Sequence, residues 1–263
     1  LQPKLLRGAG DIASVLERER RLLTRFRQRS LPFWPQGYPQ DEWEHMFAMQ
    51  HHGVPTRLLD WSENLLVALY FALGTPSHHA DHAPTEMDED GGSADTPGAN
   101  AGHDDEDSTA NTELPDGDSE LCVPVVWCLD AVQWNRAVPS LAESGEDIGV
   151  LTTADEDLIQ GYEPEDAGTR LRNRKTTPVA LYGTHNSARI VAQRGTFTLA
   201  GGRELKGFED YAPTSTDCLW KIHMTADRVS LLADLAAIGV TESMIYPDLP
   251  GLAREIESTE GWS

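Results

Sequence analysis

Apolar residues recur with a helical period through the first part of the chain. Over Asp11–Arg29, Ile12, Val15, Leu16, Leu22, Leu23 and Phe26 fall on one ragged face, and the spacing predicts a helix. Asp41–Gln50 predicts a second helix, with Trp43, Met46 and Phe47 turned inward. Glu63–Leu73 is apolar on nearly every side and reads as a buried helix, with Ser62 placed to cap it. Ahead of these, Lys4–Arg7 reads as a short first strand. The period then changes. Cys122–Leu129 reads as a buried strand, Val179–Tyr182 and Ala188–Leu199 as strands with the second broken near Gly195, and Leu219–Met224 as an alternating strand. A helix over Ala226–Ala237, a short strand at Met244–Tyr246 and a closing helix over Gly251–Glu257 complete the pattern. Helices gather early and strands late. The expected class is α+β, a small mixed sheet with helices packed on it.

One segment breaks every period. Residues 77–120 are rich in Asp, Glu, Gly, Pro, Ser and Thr and nearly lack large apolar side chains. Such a composition cannot bury enough surface to offset its chain entropy, so it reads as a disordered acidic insertion in a surface loop. His78, His79 and His82 lie in this tract and read as exposed polar residues rather than metal ligands.

Charge changes the picture once this tract is set apart. The formal net charge is -22, but residues 81–120 hold fourteen acids and no Lys or Arg. The remainder carries 29 acids against 21 bases. Binding by broad contact with nucleic-acid phosphates is disfavoured by this balance. The three cysteines, Cys122, Cys128 and Cys218, form no CxxC pair, which points to a reducing, cytoplasmic setting and away from a zinc site. No apolar run reaches the length of a membrane span, so no membrane partner is expected.

Chemistry concentrates in Met49–Leu73, MQHHGVPTRLLDWSENLLVALYFAL. Gly53 suits a left-handed turn after the second helix. Thr56, Arg57 and Asp60 then fall just before the most apolar helix, where an acid is stabilised by the helix dipole. Arg57 is a natural two-bond partner for Asp60 or for a phosphate. His51 and His52 stand beside them. Polar groups against an apolar helix describe the wall of a pocket whose floor is the core. No phosphate-binding GxxxxGK[ST] loop, GxSxG elbow or HExxH motif is present.

QHHGVPTRLLDWSENLLVALYFA resembles the central signature of the FRG-domain family. Leu6-Arg7-Gly8 occupies the place of the family's aromatic-Arg-Gly, with Leu6 replacing the aromatic. Arg189, Gln193, Gly195 and Phe197 match its later R-x3-Q-x-G-x-F element, and Tyr246–Ile256 resembles its C-terminal end. The resemblance implies one FRG-like domain over residues 1–263 with the acidic tract inserted in it.

Three functions follow as expectations. The first is an NAD-dependent ADP-ribosyltransferase-like or NAD-cleaving effector of stress, toxin or phage-defence type, with an ADP-ribosyltransferase-like fold and NAD as substrate. Its order of parts is an early Arg-Gly for the phosphates (Arg7, Gly8), a polar middle (His51, His52, Gln193) and a late acid (Glu242) before a short apolar segment and Pro247. His51, His52 and Glu242 are then the catalytic candidates. Arg7, Gly8, Thr56, Arg57, Asp60, Arg189 and Gln193 are the ligand-binding ones. The second is a non-catalytic nucleotide-binding or interaction module in which Arg7, Arg57 and Arg189 grip phosphates without chemistry. The third is nucleic-acid processing, drawn from the arginines at 18, 20, 21, 25, 27 and 29 and from Arg170, Arg172, Arg174 and Lys175. A nucleotide is the expected ligand, and whether protein or nucleic acid accepts any transfer is left open by the sequence.

Overall fold

The computed structural model describes residues 1–34, 37, 39–74, 123–144, 147–163, 173–184 and 187–262. The acidic tract, with His78, His79 and His82, lies outside the described residues, as do Cys122, Arg170 and Arg172.

Helix α1 spans Ile12–Ser30 and begins where Asp11 accepts a hydrogen bond from the Ser14 backbone N–H. Helix α2, Glu42–His51, is started in the same way by Asp41 and buries Met46, Phe47, Ala48 and Met49. It ends at a turn in which Gly53 takes φ 75° and the Val54 N–H returns to the Met49 carbonyl at 2.9 Å. This is the left-handed stop expected of that glycine. Strand β1, Leu58–Ser62, follows, and then helix α3, Leu65–Leu73. Strand β2 is Val125–Leu129. Three short helices, α4 (Ala131–Ala137), α5 (Pro139–Ala142) and α6 (Glu156–Ile159), lead to strand β3, Val179–Leu181. Helix α7 (Ala188–Gln193) runs into strand β4 (Gly195–Leu199), and strand β5 is Leu219–His223. Helices α8 (Arg228–Ala237), α9 (Glu242–Ile245) and α10 (Leu249–Thr259) close the described chain.

The class is α+β. Three strands pair in the order β1-β4-β3, and β2 pairs with β5. Every ladder is antiparallel, and one isolated parallel bridge joins Leu151 to Leu181. The main core forms where α2 lies on the three-stranded sheet. Phe47 stacks on Phe197 at 5.2 Å, beside Leu58, Leu181 and Leu199. Trp134 and Phe208 stack at 4.0 Å in the same core. A second core joins α3 to α8 and α9 through Val67, Tyr70, Leu73, Leu235 and Ile245. No described helix is long and apolar enough to cross a membrane.

Several local expectations are corrected. Lys4–Leu6 forms a 3-10 turn rather than a strand, and adjacent Leu5 and Leu6 are both buried, which the two-faced geometry of a surface strand does not allow. The residues just before the third helix form β1, so Asp60 sits in a strand and not at a helix N-terminus. Asn64, not Ser62, caps α3 by accepting from the Leu66 N–H. That helix is not buried all round, since Leu65 and Phe71 are exposed. Ala188–Leu199 is a helix followed by a strand. Ser187 starts the helix, and Arg194, in the left-handed region at φ 46°, ends it. Met244–Tyr246 belongs to the one-turn α9 rather than to a strand.

Candidate functional site

A cleft of about 670 Å³ is walled by β1, α3, β2, α7 and β4 and reached by the end of α2. Asp60 and Trp61 come from β1, Gln50 and His51 from α2, Arg189 and Gln193 from α7, Phe197 from β4, Trp127 from β2 and Phe71 from α3. Arg7 stands at the same cleft. Five residues expected at a ligand site, Arg7, His51, Asp60, Arg189 and Gln193, are therefore brought together from three distant parts of the sequence.

Asp60 is set by a relay. The Leu58 N–H donates to Thr56 Oγ1 at 3.0 Å, Thr56 Oγ1 donates to Gln50 Oε1 at 2.5 Å, and Gln50 Nε2 donates to Asp60 Oδ2 at 2.5 Å. The expected partner of Asp60, Arg57, is replaced by Gln50. Asp60 is open to water through the cleft mouth, yet the surrounding walls limit its hydration. That loss of hydration raises its carboxyl above the ordinary value, and the Gln50 hydrogen bond and the Arg189 charge act against the rise. Among the described residues lining the cleft, Asp60 is the only carboxylate.

Two guanidiniums line the same space without carboxylate bonds among the described residues. Arg7 is exposed and gives its Nε–H to the Gln2 carbonyl at 3.0 Å. Neither Asp11 nor Asp60 pairs with it among the described residues. Gly8 makes the adjacent turn at φ 65°. The Arg189 guanidinium carbon lies over the Tyr246 ring, 4.6 Å from its centroid. Arg254 approaches the same ring at 5.4 Å, and its Nε–H donates to Glu242 Oε1 at 2.7 Å. Tyr70 O–H donates to the other Glu242 oxygen. Glu242 is thus joined to Tyr70 and Arg254 and, like Tyr246, is not among the residues that line the cleft. Gln193 Nε2 donates to the Ile245 carbonyl at 3.1 Å, tying α7 to α9.

Arg57 does not reach the cleft. It is wholly enclosed, with Nε donating to both Glu19 oxygens at 2.9 and 3.0 Å, Nη1 to the Ala200 carbonyl at 2.7 Å and Nη2 to the Tyr162 carbonyl at 2.8 Å. Thr56 is also buried and acts through Gln50. His52 turns to the other side of the α2 end, where its ring meets Trp34 edge-on at 6.4 Å. The two histidine rings touch edge-to-face at 4.8 Å.

Desolvation, His52 and Arg189 together push His51 down from an ordinary 6.5 to about 4. His51 is therefore neutral across the range in which a free histidine gains its charge. The unfolded chain protonates His51 near 6.5 and the folded chain only near 4, so stability falls as pH drops through this window. His51→Gln is expected to flatten the pH dependence of urea unfolding between 6.5 and 4, and a His51 ring resonance that titrates near 6.5 would contradict the packing described.

Sequence reasoning missed Gln50, Trp61 and Trp127 as parts of the site. Gln50 and Trp61 both lie in the quoted stretch, and Trp127 carries no motif.

The fold and cleft define an α+β protein with a concave site that joins two open guanidiniums, one carboxylate and aromatic walls. Residues 1–81 match the family model described as FRG domain, in agreement with the motif resemblance over that stretch. No curated protein and no solved structure matches the chain.

Proposed function

We propose that the cleft binds a nucleotide of the NAD class and that the protein is an NAD-cleaving or ADP-ribosyltransferase-like enzyme. The observation that carries the proposal is the pair Arg7 and Arg189. Both line one cleft, neither is bonded to a carboxylate among the described residues, and Trp61, Trp127 and Phe71 line the same space. Guanidiniums suit a pyrophosphate and aromatic faces suit a base or nicotinamide ring. Asp60 takes the part that the sequence assigned to Glu242. In cleavage, the bond between ribose C1′ and the nicotinamide nitrogen breaks, and nicotinamide leaves neutral with the bonding pair. The carboxylate of Asp60 stabilises the positive charge left on the ribose and accepts the proton of the attacking hydroxyl, whose oxygen forms the new bond to C1′. His51, neutral, offers a ring nitrogen to a ribose hydroxyl.

The non-catalytic binding module is supported by the same arginines and needs no role for Asp60. Nucleic-acid processing has less support. Arg20 and Arg21 pair with Glu17, Arg27 pairs with Glu42, and Arg174 is buried with Nη1 on the Glu163 carbonyl.

The test is calorimetric titration with NAD and ADP-ribose, joined to an assay for free nicotinamide. Arg7→Lys and Arg189→Ala are each expected to weaken binding about 10- to 100-fold, the worth of a charge-assisted hydrogen bond of roughly 1.5–3 kcal/mol. Both are expected to keep the wild-type melting temperature. Binding with no nicotinamide released selects the module, and no binding by wild type removes both readings.

A further inference from the structure

A second hollow, of about 520 Å³, lies on the other side of the α2 end, between the last turns of α1, the turn at Leu31–Phe33 and Val54. We infer that it binds a small amphiphilic carboxylate, an apolar body with a single negative head. This inference does not depend on the nucleotide reading of the first cleft.

The body of the site is apolar. Leu22, Phe26, Phe33, Trp34 and Val54 line it, and Phe26 and Trp34 meet edge-to-face at 6.3 Å. Phe33 is 77% exposed, a large ring left facing water inside a concave wall. Covering such surface gains about 25 cal/mol per Å². The volume lies within the range of small-molecule pockets, roughly 300–1,000 Å³.

The head is specified by charge. Arg25 and Arg29, one helical turn apart on α1, line the hollow, and no acid does so. Their neighbours Arg20, Arg21 and Arg27 all have carboxylate partners, whereas Arg25 and Arg29 have none among the described residues. A second feature is independent of the arginines. Ser30 lines the hollow and is only 8% exposed, and its Oγ has no hydrogen-bond partner among the described residues. A buried hydroxyl without a partner is costly, and a carboxylate oxygen would accept from it while the other meets a guanidinium. A single charge suits a site whose remaining walls, His52 apart, are apolar, because each further charge brought against them adds desolvation cost.

The experiment uses the full chain with octanoate, and octanol as the uncharged match, followed by calorimetry and by the Trp34 indole resonance. Octanoate is expected to bind saturably and at least tenfold more tightly than octanol. Arg25→Gln/Arg29→Gln should remove that difference and leave octanol binding unchanged, and Ser30→Ala should reduce octanoate binding about threefold or more. Arg18→Gln, also on α1 but outside the hollow, should have no effect. Equal affinity for octanoate and octanol, an equal loss with Arg18→Gln, or no saturable binding of octanoate would overturn the inference. Added NAD should leave octanoate affinity unchanged, whereas direct competition between them would place octanoate in the first cleft and overturn the assignment of this hollow.

Discussion

Arg57→Ala is expected to destabilise the protein by about 3–5 kcal/mol, the cost of leaving one member of a buried ion pair alone. The Arg57 side chain is 0% exposed and that of Glu19 2%, so water cannot solvate the carboxylate left behind. The same change frees the carbonyls of Ala200 and Tyr162, which accept from the two remaining guanidinium nitrogens. These partners come from α1, from the chain after β4 and from the segment after α6, so one side chain ties three regions to the start of β1. Small domains have a total stability of roughly 5–15 kcal/mol, and the variant is expected to be substantially unfolded at moderate urea. Arg57→Met with Glu19→Leu removes both charges and should recover a large part of the loss, as paired replacement of buried ions by apolar groups commonly does. Urea unfolding of the single and double variants measures this. A single variant within about 1 kcal/mol of wild type would mean that the pair contributes little, contrary to its burial and bonding.

The fate of Arg57 explains how much of the site was legible. The motif places Thr56, Arg57 and Asp60 within five residues, and the chemistry of each is plain. Strand alternation then separates them. Arg57 enters the core and Asp60 reaches the cleft, and that division depends on Glu19, whose place within a run of charged residues gave no sign of burial. Helical periods held for α1 and α2 because each has a cap and an inward face. They failed for the helix-to-strand change at Arg194, where Ile190 and Val191 favour a strand in isolation but Ser187 starts a helix. The gathering of Arg7, His51, Asp60, Arg189 and Gln193 followed from family motifs alone. Periodicity could not have joined residues so far apart in the chain. Glu242 was chosen for its position before an apolar stretch, and sequence order carries no information on whether it lines the cleft.

Asp60→Asn is expected to lower nicotinamide release at least 100-fold while changing the NAD dissociation constant by no more than about threefold. Losses of 10²–10⁴ are typical when a positioned acid-base group is removed. The substitution keeps the local structure, since an asparagine carbonyl can still accept from Gln50 Nε2. It removes the negative charge that would stabilise the ribosyl cation and the site that takes the proton. Glu242→Gln is the contrasting variant. Its carboxylate holds Arg254 and accepts from Tyr70, and Arg254 and Arg189 both lie on the Tyr246 ring. Loss of that charge should loosen the wall behind Arg189, weakening NAD binding several-fold while turnover of bound NAD stays near wild type. The two variants therefore divide affinity from chemistry in opposite ways. If Glu242→Gln abolishes release with binding intact and Asp60→Asn leaves release unchanged, the catalytic carboxylate is Glu242.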